Sequence, residues 1–422
     1  MEDIYYIKSS SDKVIIYSPL RRYAFHVEEC QLAQVKKCLA QDVVCDEQKL
    51  YSLISRLKEI PVIIPNDDTV VFNHNHLIIL LTQKCNLGCT YCYAQYAKSN
   101  KTINPEQLWV AIDYVLQNTP TKMKRFTFAG GGEPLVEWDL LRQAILYIKE
   151  RCSNVRISVI TNGTLLNRDR IYWLKEHDVT INISFDVLPE IQNRQRPMLG
   201  GRESFSLVSR NIKDMISLGL EVPLRITISK DFVHRMPNIV EFVYNNLPAT
   251  KILNIWPVID VTQEEEEFYE EYINYFFEAK TRGFSYGIHV VNWLTVLNKV
   301  HSRFCQEDFS ITPNGKIVTC LRASSERDKF YDNFYIGDIT DRICINQDKM
   351  NKSFQLLNSK LPECQSCFAK WSCAGICPNT RLLLNTPERI EKHCGFVRKF
   401  ICKNIEWELL NNDGVVDYNN IF

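Results

Sequence analysis

From residue 75 to about 260 the chain alternates between short apolar runs and longer amphipathic stretches, and the alternation repeats six times. The runs "HLIILLT", "RFTFAG", "VRISVIT", "VTINISFD", "PLRITIS" and "ILNIWPV" are short, rich in β-branched residues and bounded by turn formers, so each predicts a buried strand. Between them the apolar residues fall at helical spacing. Asn104 is a cap, Pro105 takes the first helical position, and Leu108, Ala111, Ile112 and Val115 form one stripe. After the second strand Leu140, Leu141, Ile145 and Ile148 repeat that stripe. Six strand–helix units predict a parallel α/β fold whose ligands gather at the carboxyl ends of the strands.

The flanks follow other patterns. In residues 1–72, "KVIIYSPLRRYAFHV" predicts a hairpin turning at Ser-Pro, and two amphipathic helices follow in "CQLAQVKKCLA" and "EQKLYSLISRLKEI". A hairpin followed by two helices predicts a small winged-helix-like module. Cys30, Cys38 and Cys45 belong to it, and their loose spacing predicts small buried residues. The acidic run Glu264–Glu267 reads as a helix start, with Thr262 and Glu265 as a capping box, and not as a metal site. After 300 the chain becomes irregular and cysteine-rich, with a hairpin in "SITPNGKIVTC" turning at Asn314-Gly315.

Fifty basic and fifty acidic residues cancel, so charge gives no reason to propose nucleic acid or an anionic membrane as partner. The polar start "MEDIYYIKSS" does not read as a secretory signal, and no apolar run approaches the roughly 20 residues of a bilayer span. A cytoplasmic location follows as an expectation. Sixteen cysteines in such a chain should be reduced, which makes metal binding the leading explanation for them. They are unevenly placed. Cys85, Cys89 and Cys92 directly follow the first strand, and Cys305, Cys320, Cys364, Cys367, Cys373, Cys377 and Cys394 lie late.

Three neighbouring thiols cannot all pair with one another, and they are one short of a closed zinc site. They suit three irons of a four-iron, four-sulfur cube, whose fourth iron is then open to a small molecule. The spacing Cys85-x3-Cys89-x2-Cys92, with Tyr91 before the last cysteine, resembles the radical S-adenosylmethionine superfamily. That resemblance implies a partial (β/α)6 TIM-like barrel over residues 73–300, and a [4Fe–4S] cluster that binds S-adenosyl-L-methionine. By the same resemblance Gly131, Gly132, Glu133 and Pro134 of "GGGEP" contact the cofactor's amino group, and Asn162 of "TNGT" adds a polar contact. Ser184 of "SFD" and Arg196, twelve residues on, bind its ribose and carboxylate ends, with Arg225 as the alternative for the latter. The usual Gly and His-Asp pair after "SFD" are replaced here by Val187, Gln192 and Asn193.

The late cysteines resemble the SPASM extension of radical enzymes, which implies a third domain over 301–422 with two auxiliary [4Fe–4S] clusters. Cys364, Cys367, Cys373 and Cys394 would hold one. Cys305, Cys320 and Cys377 would hold the other, with Cys344 an unmatched candidate for its fourth ligand. That fourth position is otherwise open, or taken by a substrate thiol or a non-cysteine side chain, and Cys152, Cys344 and Cys402 are most simply core thiols.

The resemblance implies an enzyme in which a cofactor-borne 5′-deoxyadenosyl radical takes hydrogen from a peptide or protein, so no catalytic side chain is assigned. One expected activity is maturation of a ribosomally made precursor peptide by a thioether or carbon–carbon crosslink, with the N-terminal module recognising the leader. The other is anaerobic sulfatase maturation to formylglycine. That type carries an Asp directly after the cysteine of the G-x4-C element, where this chain has Leu321. A reducing protein such as flavodoxin or ferredoxin is the expected partner. A zinc or iron–sulfur binding protein without turnover is the alternative from another class.

Overall fold

The computed structural model describes residues 3–9, 12–41, 47–65, 75–95, 98–118, 123–258, 265–305 and 309–420. All six predicted strands form: β4 (His76–Ile79), β5 (Lys124–Phe128), β6 (Val155–Thr161), β7 (Val179–Ser184), β8 (Leu224–Ile228) and β9 (Ile252–Pro257). They pair side by side, parallel and in sequence order, from His76 opposite Arg125 to Ile228 opposite Pro257. The N-cap at Asn104 forms as expected, its side-chain oxygen accepting from the Glu106 backbone N–H at 2.9 Å.

Alternation along each strand sorts the side chains into two faces. Phe126, Phe128, Val159, Ile183, Leu224, Ile226, Leu253 and Ile255 are buried under the helices. The opposite face is polar. His76 Nε2 lies 2.9 Å from Thr127 Oγ1, which lies 3.0 Å from Ser158 Oγ, so a hydrogen-bonded row crosses three strands.

The sheet is longer than the sequence pattern implied. β10 (His289–Val291) adds a seventh parallel strand beside β9. At the other edge β11 (Ser310–Ile311) pairs parallel to β4, and β12 (Lys316–Val318), β13 (Tyr335–Ile339) and β14 (Ile343–Ile345) continue antiparallel. The cysteine-rich region therefore grows out of the barrel sheet, in the order β10-β9-β8-β7-β6-β5-β4-β11-β12-β13-β14. The predicted hairpin is β11–β12, and Gly315 takes its positive φ of 68° at the turn.

The N-terminal hairpin is β2 (Lys13–Ser18) with β3 (Tyr23–Glu28). It gains β1 (Tyr5–Lys8) on one side and β15 (Val415–Asp417) on the other, giving the order β1-β2-β3-β15. A strand from the far end of the chain thus completes the unit expected to end at residue 72, and that boundary itself lies outside the described residues. Val14, Ile16, Phe25 and Val27 join Val35, Leu50, Ile54 and Leu57 of the two helices in a small core. Ile15, Tyr17 and Ala24 face the other way and join the main core. Burial on both faces fixes the module against the body. Cys38 is buried as expected and Cys30 is exposed, while Cys45, Thr262 and Glu264 lie outside the described residues.

One long helix, Pro387–Leu410, ties the parts together. Its Phe396 and Phe400 pack on Tyr269, Tyr272, Phe276 and Phe277 of the helix Glu265–Ser285, with Tyr269 and Phe396 stacked at 4.4 Å. It carries Cys394 at one end and leads into β15 at the other. Among the described residues no helix is long and apolar enough to cross a membrane.

Candidate functional site at the strand ends

The loop after β4 places Cys85, Cys89 and Cys92 over the carboxyl ends of the strands. The segment after β7 holds it there: Gly88 N donates to Pro197 O at 2.8 Å, Thr90 N to Gln195 O at 2.9 Å, and Leu199 N to Asn86 O at 2.9 Å. From the other side comes the glycine turn. Gly132 N donates to Thr82 O and Glu133 N to Lys84 O, each at 2.8 Å. A Cβ on Gly132 would lie 2.0 Å from the Lys84 carbonyl oxygen, and Gly131 has φ of 66°, so both positions require glycine. The expected cofactor turn is thus also the mould of the cysteine loop.

Glu133 and Asn162 brace the strand ends. Both Glu133 carboxylate oxygens are occupied, by Thr161 Oγ1 at 2.6 Å, Asn162 N at 2.8 Å and Leu135 N at 3.1 Å. Burial raises its pKa, and those three donors oppose the shift. Glu133 therefore ties the ends of β5 and β6 together, and Pro134 starts the short helix it caps. Asn162 Nδ2 donates to Asn86 Oδ1 at 2.9 Å, and its own oxygen accepts from Thr164 N at 2.9 Å and Thr164 Oγ1 at 2.6 Å. Its side chain braces the cysteine loop through Asn86.

The most tightly bonded residue of the site, Asp186, carried no role in the sequence reading. Its Oδ2 accepts from Tyr91 Oη at 2.8 Å, Gln195 Nε2 at 2.8 Å and Arg196 Nε at 3.0 Å, and its Oδ1 from Thr227 N at 2.9 Å. Arg196 also lies 5.1 Å from the centre of the Tyr91 ring. Burial disfavours the Arg196 charge, but Asp186, Tyr91 and Cys89 outweigh it and hold its pKa above the ordinary value. Burial likewise holds the Tyr91 hydroxyl well above its usual range. Arg196 spends its Nε–H on Asp186. Ser184 ends β7 half-buried, opposite Arg225 in register. Gln192 and Asn193, which replace the usual pair, are structural: Gln192 accepts from Asp186 N at 2.8 Å, and Asn193 Oδ1 accepts from Ser204 N and Phe205 N. Val187 sits fully buried at φ of 68°, a costly conformation for a β-branched residue.

The donor set fits a cluster. Burial raises Cys85, although the Leu87 backbone N–H opposes it, and pushes Cys89 up to about 11. The negative charges of Cys85 and Cys92 add to the Cys89 shift. The three thiols are thus near enough to feel one another. Among the described residues, however, no three His, Cys, Asp or Glu side chains converge tightly enough for a single ion. A cube, which offers its irons at separate corners, suits that arrangement.

Two groups of the late cysteines lie close together. Cys364, Cys367, Cys373 and Cys394 share the wall of one cavity of about 30 Å³, with Leu361, Ile376 and Val397. Burial pushes Cys373 up to about 12 and Cys394 up to about 11, and raises Cys367. Cys320 faces Cys377, whose charge adds to the burial that pushes Cys320 up to about 12, and the Arg322 and Ala323 N–H groups point at its sulfur. Cys305 is half-buried against the main core. Cys344 is elsewhere. It pairs with Asp338, which pairs with Lys316, four residues and two strands from Cys320. Cys152 and Cys402 are half-buried, and Cys402 packs on the main core. Tyr93 joins the first set to this region: Cys92 and Cys320 both act on its hydroxyl, and Arg322 lies 5.9 Å from its ring centre.

Residues 79–243 match the family model of the Radical SAM superfamily. The barrel is a radical SAM domain. Over 132 residues the chain is 39% identical to the uncharacterised protein MJ0907 of Methanocaldococcus jannaschii, a match covering 31% of this chain and 44% of that one. The chain thus spans less than half of that relative. It spans 84% of the cysteine-type anaerobic sulfatase-maturating enzyme of Clostridium novyi, at 24% identity and over 69% of its own length. In fold it is similar to anSMEcpe with bound AdoMet, with a TM-score of 0.67 and 20% identity, covering 82% of this chain and all of that one. It is also similar to SuiB of Streptococcus suis, with a TM-score of 0.51 and 14% identity, covering 90% of this chain and 95% of that one. Forms of both have been solved with a peptide bound. The radical SAM domain here is the α/β barrel expected from the strand pattern, followed by the cysteine-rich region.

Proposed function

We propose that this chain is a cytoplasmic radical SAM and SPASM peptide maturase. It takes hydrogen from a residue of a ribosomally made precursor peptide and yields an oxidised product such as a thioether or carbon–carbon crosslink. The observation that carries the proposal is the Cys85, Cys89 and Cys92 loop after β4, braced by the ends of β5, β6 and β7, with Tyr93 lying between Cys92 and Cys320. When bound there, the [4Fe–4S] cluster and S-adenosyl-L-methionine supply the power to abstract hydrogen. The chain's own part is placement and shielding. Asp186 fixes Tyr91 and Arg196 beside Cys89, so the floor of the site is set before any ligand arrives. Ser184, Arg225 and the free N–H groups of Arg196 face the cofactor in this account. Cys364, Cys367, Cys373 and Cys394 hold one auxiliary [4Fe–4S] cluster, and Cys320, Cys377 and Cys305 the other. Clusters held by these thiols would supply an acceptor for the electron that an oxidised substrate gives up, and a reducing protein such as flavodoxin or ferredoxin would be the donor partner.

The N-terminal sheet serves the peptide leader. Its edges are β1 and β15, and in this account an extended leader adds as a strand beside β1. SuiB, similar in fold, has been solved bound to its precursor peptide SuiA, which supports a precursor peptide as the substrate class.

Sulfatase maturation is the second reading, favoured by the full-length overlap with anSMEcpe. Leu321 stands against it, because a hydrocarbon side chain cannot accept a proton. Mass spectrometry decides. The anaerobically reconstituted protein is incubated with a short peptide encoded beside it and, separately, with a sulfatase peptide. Loss of two hydrogens from the first supports crosslinking, whereas conversion of a Cys or Ser to an aldehyde in the second replaces this proposal with the alternative.

A further inference from the structure

Arg381 stands between the two auxiliary thiol sets. It lies one turn after Cys377, its backbone N–H donating to Cys377 O at 2.9 Å, in the helix Pro378–Leu384. Its guanidinium reaches back to the end of the helix Gln347–Asn358. There Nη1 donates to Ser359 O at 2.8 Å, and Nη2 donates to Leu356 O at 2.9 Å and Ser359 Oγ at 2.8 Å. A cation capping free helix carbonyls explains those three bonds. They leave the Nε–H, which is buried and has no hydrogen-bond partner. Burial lowers the Arg381 pKa, and the negative charges of Cys364, Cys373 and Cys394 of one set and of Cys377 of the other oppose that shift. One anchored cation is therefore within electrostatic reach of both thiol sets and keeps one buried donor unspent.

We infer that Arg381 is a positioning residue that links the two auxiliary clusters, donating Nε–H to cluster sulfur and raising both reduction potentials through its charge. This rests on the reading that each set holds a cluster. Reduction adds one negative charge to a cluster, and a fixed positive charge and a hydrogen bond to sulfur both favour that form. The anchoring to Leu356 and Ser359 keeps the guanidinium from turning away to solvent. With both potentials raised together, either cluster can take the electron that the substrate gives up.

The test uses the full chain with Cys85, Cys89 and Cys92 replaced by alanine, so that only auxiliary signals remain. Arg381→Gln and Arg381→Lys are compared with that parent by iron content and by potentiometric titration followed by EPR. The expected result is parental iron in both variants. The midpoints of both signals should fall in Arg381→Gln by at least 59 mV, a tenfold change in a one-electron equilibrium, and most of that should be restored in Arg381→Lys. Unchanged midpoints overturn the inference, as does a shift confined to one signal. Iron loss from Arg381→Gln without a shift in the remaining signal also overturns it, because that marks the helix staple alone. A parent with fewer than two auxiliary signals overturns the two-cluster reading itself, which separates that failure from this one.

Discussion

Replacing Gly132 by alanine tests whether the glycine turn shapes the cysteine loop. The added Cβ would sit 2.0 Å from the Lys84 carbonyl oxygen, 2.6 Å from its carbon and 2.7 Å from the Gln83 carbonyl carbon, all backbone atoms with no rotamer to yield. Ordinary contact begins near 3.4 Å, so the turn must back away by well over an ångström. That movement breaks the bonds from Gly132 N to Thr82 O and from Glu133 N to Lys84 O. Overpacking of this kind costs about 1–3 kcal/mol, and two backbone hydrogen bonds add about 0.5–1.5 kcal/mol each. The sum, about 2–6 kcal/mol, is a large part of a typical folding free energy of about 5–15 kcal/mol. Gly88, in the same loop, is the control, since a Cβ there meets Leu199 and Pro197 only at 3.8 and 3.9 Å. Denaturant titration of the apoprotein and iron content after anaerobic reconstitution are the assays. Gly132→Ala should lose stability by that amount and lose the iron of the first cluster, while Gly88→Ala keeps both within error. A Gly132→Ala protein with parental midpoint and parental iron would refute the reasoning.

Further expectations follow from the same contacts. Asp186→Asn leaves Arg196 buried without its partner and should cost about 3–5 kcal/mol, read by denaturant titration; a cost under 1 kcal/mol would show the pair to be incidental. His76 is held down to about 4 by burial, so the unfolded chain binds its proton more readily, and stability drops as pH falls from about 6.5 towards 4. His76→Gln should flatten that part of the stability–pH curve by up to about 3 kcal/mol, and an unaltered slope contradicts the assignment. Ending the chain after Gly414 removes β15 with its buried Val416 and Tyr418, and should cost about 3–6 kcal/mol at about 1.5–3 kcal/mol per buried side chain. An unchanged melting temperature would show that the N-terminal module stands without it.

The barrel was legible because each of its six central strands is a short run rich in β-branched and aromatic residues between turn formers, buried throughout in β4 and at alternate positions in the other five. β10 and β11 were not, because "HVV" and "SI" are too short to show a pattern and become strands only by lying beside β9 and β4. β15 depends in the same way on β3, some 390 positions away. Spacing alone suggested a grouping of the late cysteines, and in the structure Cys320 lies by Cys377 while Cys364, Cys367, Cys373 and Cys394 line one cavity. Roles of the polar residues were less accessible. Glu133 and Asn162 are expected as cofactor contacts, and their bracing bonds to Thr161, Leu135, Thr164 and Asn86, which depend on which strand ends meet, had no sequence signal. Asp186 gathers donors from positions 91, 195, 196 and 227, a convergence that no local window contains. Its one sequence signal was an acid at a strand end with an arginine ten residues on. Arg381 gave no signal, since its partners lie on another helix.

The most direct measurement is anaerobic: reconstitute the chain with iron and sulfide, add S-adenosyl-L-methionine and a strong reductant, and quantify 5′-deoxyadenosine. The radical SAM assignment predicts 5′-deoxyadenosine from the parent and none when Cys85, Cys89 and Cys92 are alanine, with the auxiliary iron retained. A parent that loads iron through those three thiols yet leaves the nucleotide intact would contradict it.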